Sequence, residues 1–256
     1  MGVRREFRLL LCAVQFLTRV PVGHLAGYAP DWITRSARYF PLVGHMVGGV
    51  SAAVLWGAAQ LWPQPVPVIL ALIGGILLTG AFHEDGLADT ADGLGGGQDR
   101  TQRLTIMKDS RVGTYGVLAL ILLLALKAAS LATLDVVSAA AALITAHGLA
   151  RAAAVLAMAA MPYAGDPDAA KIKPVPQGVT WSESLFATAW GLWPLAVLPM
   201  LPLSSVFTGL VLGGLLALGL ALTARRLIGG VTGDVLGGIE ELFQAGYLLG
   251  VLAGHI

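Results

Sequence analysis

Charge is what this sequence lacks. Asp, Glu, Lys and Arg make up 12% of its 256 residues, about half the share of a soluble domain. Hydrophobic residues account for 56% and mean hydropathy is +0.77. So little charge cannot cover a soluble globule of this length, which points to an integral membrane protein and excludes a disordered chain. Cysteine is nearly absent: Cys12 alone permits neither an internal disulfide nor a cysteine-rich zinc site. Neither sign is in excess, with 16 basic and 15 acidic residues, so no nucleic acid is expected as a partner.

Long apolar runs are there instead. A transmembrane helix needs about 20 mostly apolar residues. Candidate stretches are 39–62, 66–82, 113–133, 137–161, 182–201, 206–224 and 234–254, the last interrupted by Asp234, Glu240 and Glu241. Residues 9–18 are too short to span. Arg4, Arg5 and Arg8 precede them and Arg19 follows, so they read as an interfacial or partly buried helix and not as a cleaved signal. The expected fold is all-α: one domain over residues 1–256, a polytopic transmembrane helical bundle of six to seven spans plus that N-terminal helix. Gly44, Gly48, Gly49, Gly209, Gly213 and Gly214 suit close helix packing.

Fourteen of the 16 basic residues fall in 1–38, 83–112, 162–181 and 225–233; the alternate connections near 63–65, 134–136 and 202–205 hold none. The positive-inside rule places the basic loops in the cytoplasm. Lys127 and Arg151 lie inside spans. Lys127 is expected to snorkel or pair structurally. Arg151, one turn from His147, should face the interior towards an acid or a phosphate.

The acids are concentrated too. His83-Glu84-Asp85-Gly86-Leu87-Ala88-Asp89-Thr90-Ala91-Asp92-Gly93 sits at the cytoplasmic end of an apolar stretch. Asp85, Asp89 and Asp92 are spaced i, i+4, i+7 and share one face of a helix, where like charges repel unless a cation joins them. Oxygen ligands alone suit Mg²⁺, which takes one or two carboxylates and keeps waters or substrate phosphates. Gly86 and Gly93 weaken a continuous helix here and permit close approach. A solvated acidic loop neutralised by Arg100, Arg103 and Lys108 is the plainer alternative.

Lys108 and Arg111 follow in Lys108-Asp109-Ser110-Arg111-Val112-Gly113-Thr114-Tyr115-Gly116 and offer phosphate contacts. Near the C-terminus, Gly229-Gly230-Val231-Thr232-Gly233-Asp234 opens a helix whose backbone N–H groups, from Gly233 onward, could cradle phosphate. Asp234 reads as an N-cap, a metal ligand or both. Acids for metal beside bases for phosphate is the layout of phosphoryl transfer.

These residues resemble the cobalamin synthase family, the adenosylcobinamide-GDP ribazoletransferases, in four segments in order. The segments are Phe16-Leu17-Thr18-Arg19-Val20-Pro21-Val22, Tyr39-Phe40-Pro41-Leu42-Val43-Gly44, the His83–Gly93 run with Lys108–Thr114, and Gly229–Glu241. The resemblance implies an enzyme that joins adenosylcobinamide-GDP to α-ribazole or its 5′-phosphate. The ribose hydroxyl attacks the phosphorus nearest cobinamide and releases GMP, with Mg²⁺ as cofactor. It implies Asp85, Asp89 and Asp92 as catalytic and metal-holding, Asp234 and Glu240 at a second metal or the nucleotide, and His83, Lys108, Arg111, Arg19, Arg151 and Gly233 towards substrate and phosphate. Gly165 departs from the family pattern where an arginine often stands, and Lys171 and Lys173 are candidate replacements. Expected partners are the two substrates, the lipid bilayer, a homo-oligomer and other late cobamide-pathway enzymes. The expected location is the bacterial inner membrane, with the site facing the cytoplasm. A CDP-alcohol phosphotransferase is the nearest rival, although its Ala-Arg and second i,i+4 acid pair are missing. A cation transporter is the rival from another class, disfavoured because its acids would sit near the midplane.

Overall fold

The computed structural model describes residues 2–26, 31–165, 178–197 and 200–255. Among them there is no strand, only an isolated bridge between Tyr163 and Val231. Helix α1 (Val3–Leu17) is longer than the apolar run that suggested it, and the short α2 (Gly23–Ala26) and α3 (Trp32–Ser36) lead into α4 (Phe40–Ala58). Then come α5 (Val66–Thr79), α6 (Phe82–Gly96), α7 (Arg100–Met107), α8 (Thr114–Thr133) and α9 (Val136–Ala160). The order ends with α10 (Trp181–Val197), α11 (Leu203–Ile228) and α12 (Gly233–His255).

Among the described residues, five segments are long and apolar enough to cross a membrane: Trp32–Ala58, α8, α9, α11 and α12. A sixth is counted only if α5 and α6 are taken together, and they meet at 89°. The expected span 66–82 is therefore corrected. At 1.5 Å per residue, the 14 residues of α5 cover about 21 Å, short of an apolar layer of about 30 Å. The chain turns at Gly80 (φ +70°) and Ala81 (φ +59°), both left-handed. Glycine enters that region without the cost a side chain carries, and a Cβ on Gly80 would collide with the Arg19 side chain. The described part of the stretch 182–201 forms α10, at 17 residues. The interrupted stretch 234–254 is one unbroken helix.

Helices α9 and α12 lie at the centre, their Leu143, Ala150, Ile239, Phe243 and Tyr247 buried in the main core. The N-terminal helix is docked, with Ala13 and Leu17 packed against Phe40 and Val43 of α4. By contrast Leu122 of α8 and Phe207, Leu215 and Leu222 of α11 are exposed, an apolar outer face that suits lipid. Small residues set the helix distances. A Cβ on Gly48 would lie 2.6 Å from the Leu143 carbonyl of α9, and one on Gly213 would lie 2.9 Å from the Phe243 carbonyl of α12. Gly44 and Gly209 make similar approaches, whereas Gly49 and Gly214 face open space.

Lys127 does not sit alone. Its Nζ donates to Glu241 Oε2 at 2.6 Å and to Gln244 Oε1 at 3.1 Å, all buried, and so ties α8 to α12. Removing one partner of a buried pair leaves a charge uncompensated, at a cost of about 3–5 kcal/mol. Lys127→Met should therefore lower the melting temperature of the detergent-solubilised protein markedly. Lys127→Met with Glu241→Gln should recover much of the loss, because no lone charge remains.

Candidate active site

The acidic run is helical throughout. Gly86 and Gly93 do not interrupt α6, and each lies where another segment comes close. A Cβ on Gly86 would stand 2.8 Å from the Asp234 carbonyl oxygen and 3.1 Å from its Cα. One on Gly93 would stand 2.9 Å from the Arg103 carbonyl of α7. On the other flank, a Cβ on Gly116 of α8 would meet Ala88 at 3.0–3.2 Å. At about 100° per residue, Asp85, Asp89 and Asp92 form a stripe between these flanks. The stripe thus runs along α6 between α12 and α8.

Its three carboxylates are in different surroundings. Asp85 is exposed, and its carboxylate has no hydrogen bond or ion pair among the described residues. Asp89 is half-buried. Asp92 is buried and accepts the Gly113 N–H at 2.7 Å and the Gly116 N–H at 2.9 Å. It therefore satisfies the first turn of α8 from outside that helix, a capping role that its spacing with Asp85 and Asp89 does not reveal. Asp234 sits in the first turn of α12, but the cap is Thr232, whose hydroxyl accepts the Val235 N–H at 3.2 Å. Gly233 begins that helix and is half-buried.

Glu240, His83 and Arg151 meet one turn deeper. His83 Nε2 lies 3.0 Å from Glu240 Oε2, and Arg151 Nη1 lies 3.6 Å from the same oxygen. Arg151 is wholly buried and also donates to the His147 carbonyl at 2.9 Å. Its partner in the bundle interior is thus an acid, Glu240. Glu240, expected beside Asp234 at a second metal, is instead held by these two side chains. His83, expected among the phosphate contacts, is sealed from solvent. Among the described residues no three His, Cys, Asp or Glu side chains converge as a ready metal cluster. Glu84 and Glu241, both in the field of Lys127, complete a buried polar layer that sequence spacing did not single out.

The bases are at the same end. Arg19 is exposed, lies against Gly80 at the α5–α6 corner, and has no side-chain partner among the described residues. Lys108 is exposed at the end of α7. Arg111 is 87% exposed and pairs with Asp109 at 2.6 Å. Its hydrogen bonds hold the Asp109 carboxyl down at about 2, so this group is ionised at any physiological pH. Arg100 is structural: it donates to the carbonyls of Ile228 and Ala164, both at 2.9 Å, and ties α7 to the end of α11. Lys171 and Lys173 lie outside the described residues. A cleft of about 300 Å³ opens between the end of α6 and the start of α8, lined by Asp92, Asp109, Arg111, Thr114 and Tyr115.

Asp92→Asn tests the cross-helix cap. An amide can accept one of the two N–H bonds but sets a donor against the other, a loss of about 1–3 kcal/mol. Hydrogen exchange at residues 113–116 should rise sharply while that at the centre of α9 stays unchanged.

The sequence matches the family described as cobalamin-5-phosphate synthase over residues 9–252. It is 46% identical to the adenosylcobinamide-GDP ribazoletransferase of Leptothrix cholodnii, over 97% of this chain and 96% of that protein. The proteins of that name from Shewanella amazonensis (42%; 94% and 93% covered) and Ralstonia pickettii (40%; 98% of each) are similar. No solved structure matches. These matches favour the ribazoletransferase family over both the CDP-alcohol phosphotransferase and the cation transporter. An acid stripe at a helix crossing, flanked by bases, occurs here in a chain that matches one family over nearly its whole length: it belongs to the cobalamin-5-phosphate synthase family.

Proposed function

We propose that this chain joins adenosylcobinamide-GDP to α-ribazole or its 5′-phosphate, releasing GMP, on the acid stripe of α6. The single observation behind the assignment of the site is the Asp85 carboxylate, exposed and without a partner among the described residues, one turn from Asp89. Two hard oxygen donors at this spacing fit Mg²⁺, which takes one or two carboxylates and fills its remaining positions with water and phosphate oxygens. Asp85 and Asp89 would hold it, with Asp234 across the Gly86 contact as a further oxygen donor. When bound, the ion neutralises charge on the pyrophosphate and on the departing phosphate.

The chain's own groups do the rest. Arg19 and Lys108, exposed at the two ends of the α6–α7 segment, bind phosphate oxygens. Asp92 is engaged by the α8 backbone, so within the stripe the second carboxylate oxygen of Asp89 takes the proton of the ribose hydroxyl as the hydroxyl oxygen bonds to the phosphorus nearest cobinamide. The bond from that phosphorus to the bridging oxygen breaks, and GMP leaves with the electron pair. Glu240, His83 and Arg151 hold α6 at the depth where the stripe faces its substrates. We place the protein in the bacterial inner membrane with this site on the cytoplasmic side. The uneven distribution of basic residues supports that orientation. A homo-oligomer and contacts with other late cobamide-pathway enzymes belong to the same proposal.

The test is a direct assay. Detergent-held protein is incubated with adenosylcobinamide-GDP, α-ribazole phosphate and Mg²⁺, and cobalamin phosphate and GMP are followed by mass spectrometry. Asp89→Asn should slow product formation by about 10²–10⁴-fold, the range for losing a general base, and chelation should stop it. A folded wild type that forms no product with either nucleophile overturns the reading.

A further inference from the structure

The cleft between α6 and α8 has a chemistry of its own. Two of its lining side chains are carboxylates, Asp92 and Asp109, which repel a bare phosphate. Asp92 is buried and accepts two backbone N–H groups, whereas Asp109 is half-buried and accepts one, from Arg111 to Oδ1 at 3.0 Å, so Asp109 is the carboxylate a ligand can reach. It now receives a guanidinium in a forked arrangement. Arg111 Nε lies 3.1 Å from Oδ1 and 3.2 Å from Oδ2, and Nη2 lies 2.6 Å from Oδ2. The Watson–Crick edge of guanine carries the same pattern, because N1–H and the N2 amino group are part of a built-in guanidine. No other common nucleobase offers two adjacent donors there. Arg111 is 87% exposed and can leave Asp109 without losing buried packing.

A platform stands beside this carboxylate. The ring of Tyr115 lies against Gly95, where a Cβ would come within 2.9–3.1 Å of its atoms. One ring face is covered, yet the residue is 55% exposed, which leaves the other for stacking.

We propose that this cleft is the guanine pocket: Asp109 reads the N1–H and N2–H₂ edge, Tyr115 stacks on the base, and Arg111 is a stand-in displaced when the base enters. The inference rests on the reaction proposed above and extends it. The nucleotide lies along α6 with its base at the Asp92 end and its pyrophosphate towards Asp89 and Asp85. The seven residues from Asp92 back to Asp85 rise about 10 Å, a span of the order of a ribose and a diphosphate. Selection for guanosine over other nucleotides is then set by one side chain outside the reacting centre.

The experiment measures binding of GMP, AMP and xanthosine monophosphate to the detergent-held full chain by calorimetry, beside the product assay. Xanthine has a carbonyl where guanine has its amino group, so an amide at position 109 suits it better than a carboxylate does. Wild type should prefer GMP to both others. Asp109→Asn should lose GMP affinity by about 10- to 100-fold, the worth of a bidentate base contact, and gain affinity for xanthosine monophosphate. That gain cannot come from misfolding. Tyr115→Leu should weaken all three nucleotides, and Tyr115→Phe should weaken none. If wild type forms product and prefers GMP but Asp109→Asn keeps the same ratio of GMP to xanthosine monophosphate, the pocket assignment is wrong and the reaction stands. If wild type neither forms product nor binds GMP, both fall.

Discussion

A carboxylate within a membrane's apolar layer is stable only beside positive charge or donors, and the rest of this bundle is arranged around that requirement. Glu240 and Glu241 lie on the central helix α12, and each has its own cation: Arg151 from α9 for the first, Lys127 from α8 for the second. His83 joins Glu240 from α6. Three helices are thus drawn onto α12 at one level, and the acidic helix is among them. The Coulomb term at these distances is large in a medium of low dielectric constant, and desolvation offsets much of it.

Such pairs need helices at close range. Gly86 brings α6 onto the first turn of α12, and Gly44 lets α4 press on α9 at His147 and Arg151. The same contacts fix the stripe. Because Gly86 stands one residue after Asp85, the crossing that buries His83 turns Asp85 outward. At the other end Asp92 binds the start of α8. The helix is held at both ends, and its middle acid, Asp89, lies between fixed points.

Much of this arrangement could be read in the sequence, and the exceptions have physical causes. Apolar length reveals spans, so α4, α8, α9, α11 and α12 emerge near their expected bounds. Period 3.6 reveals a shared face, so the Asp85, Asp89 and Asp92 stripe emerges as well. Neither pattern carries information on tertiary partners. Asp92 bonds a backbone 21 and 24 residues away. Lys127 and Glu241 are separated by 114. Glu240 and Asp234 share a segment but face different neighbours. The left-handed corner at Gly80 and Ala81 escaped for a related reason: hydropathy continues across it while the backbone turns. Thr232 took the cap because its short hydroxyl reaches the Val235 N–H, leaving Asp234 in the first turn.

That corner also has a consequence for the surrounding lipid. A helix of 14 residues ending in a right-angled turn leaves the apolar layer about 9 Å thicker than the protein is tall at that point. A stretch this short is accommodated by a locally thinner bilayer, by flanking side chains that reach to the interface or by further helices packed beside it, each at fractions of a kcal/mol per Å of mismatch. Arg19, exposed against that corner, is a flanking side chain of this kind.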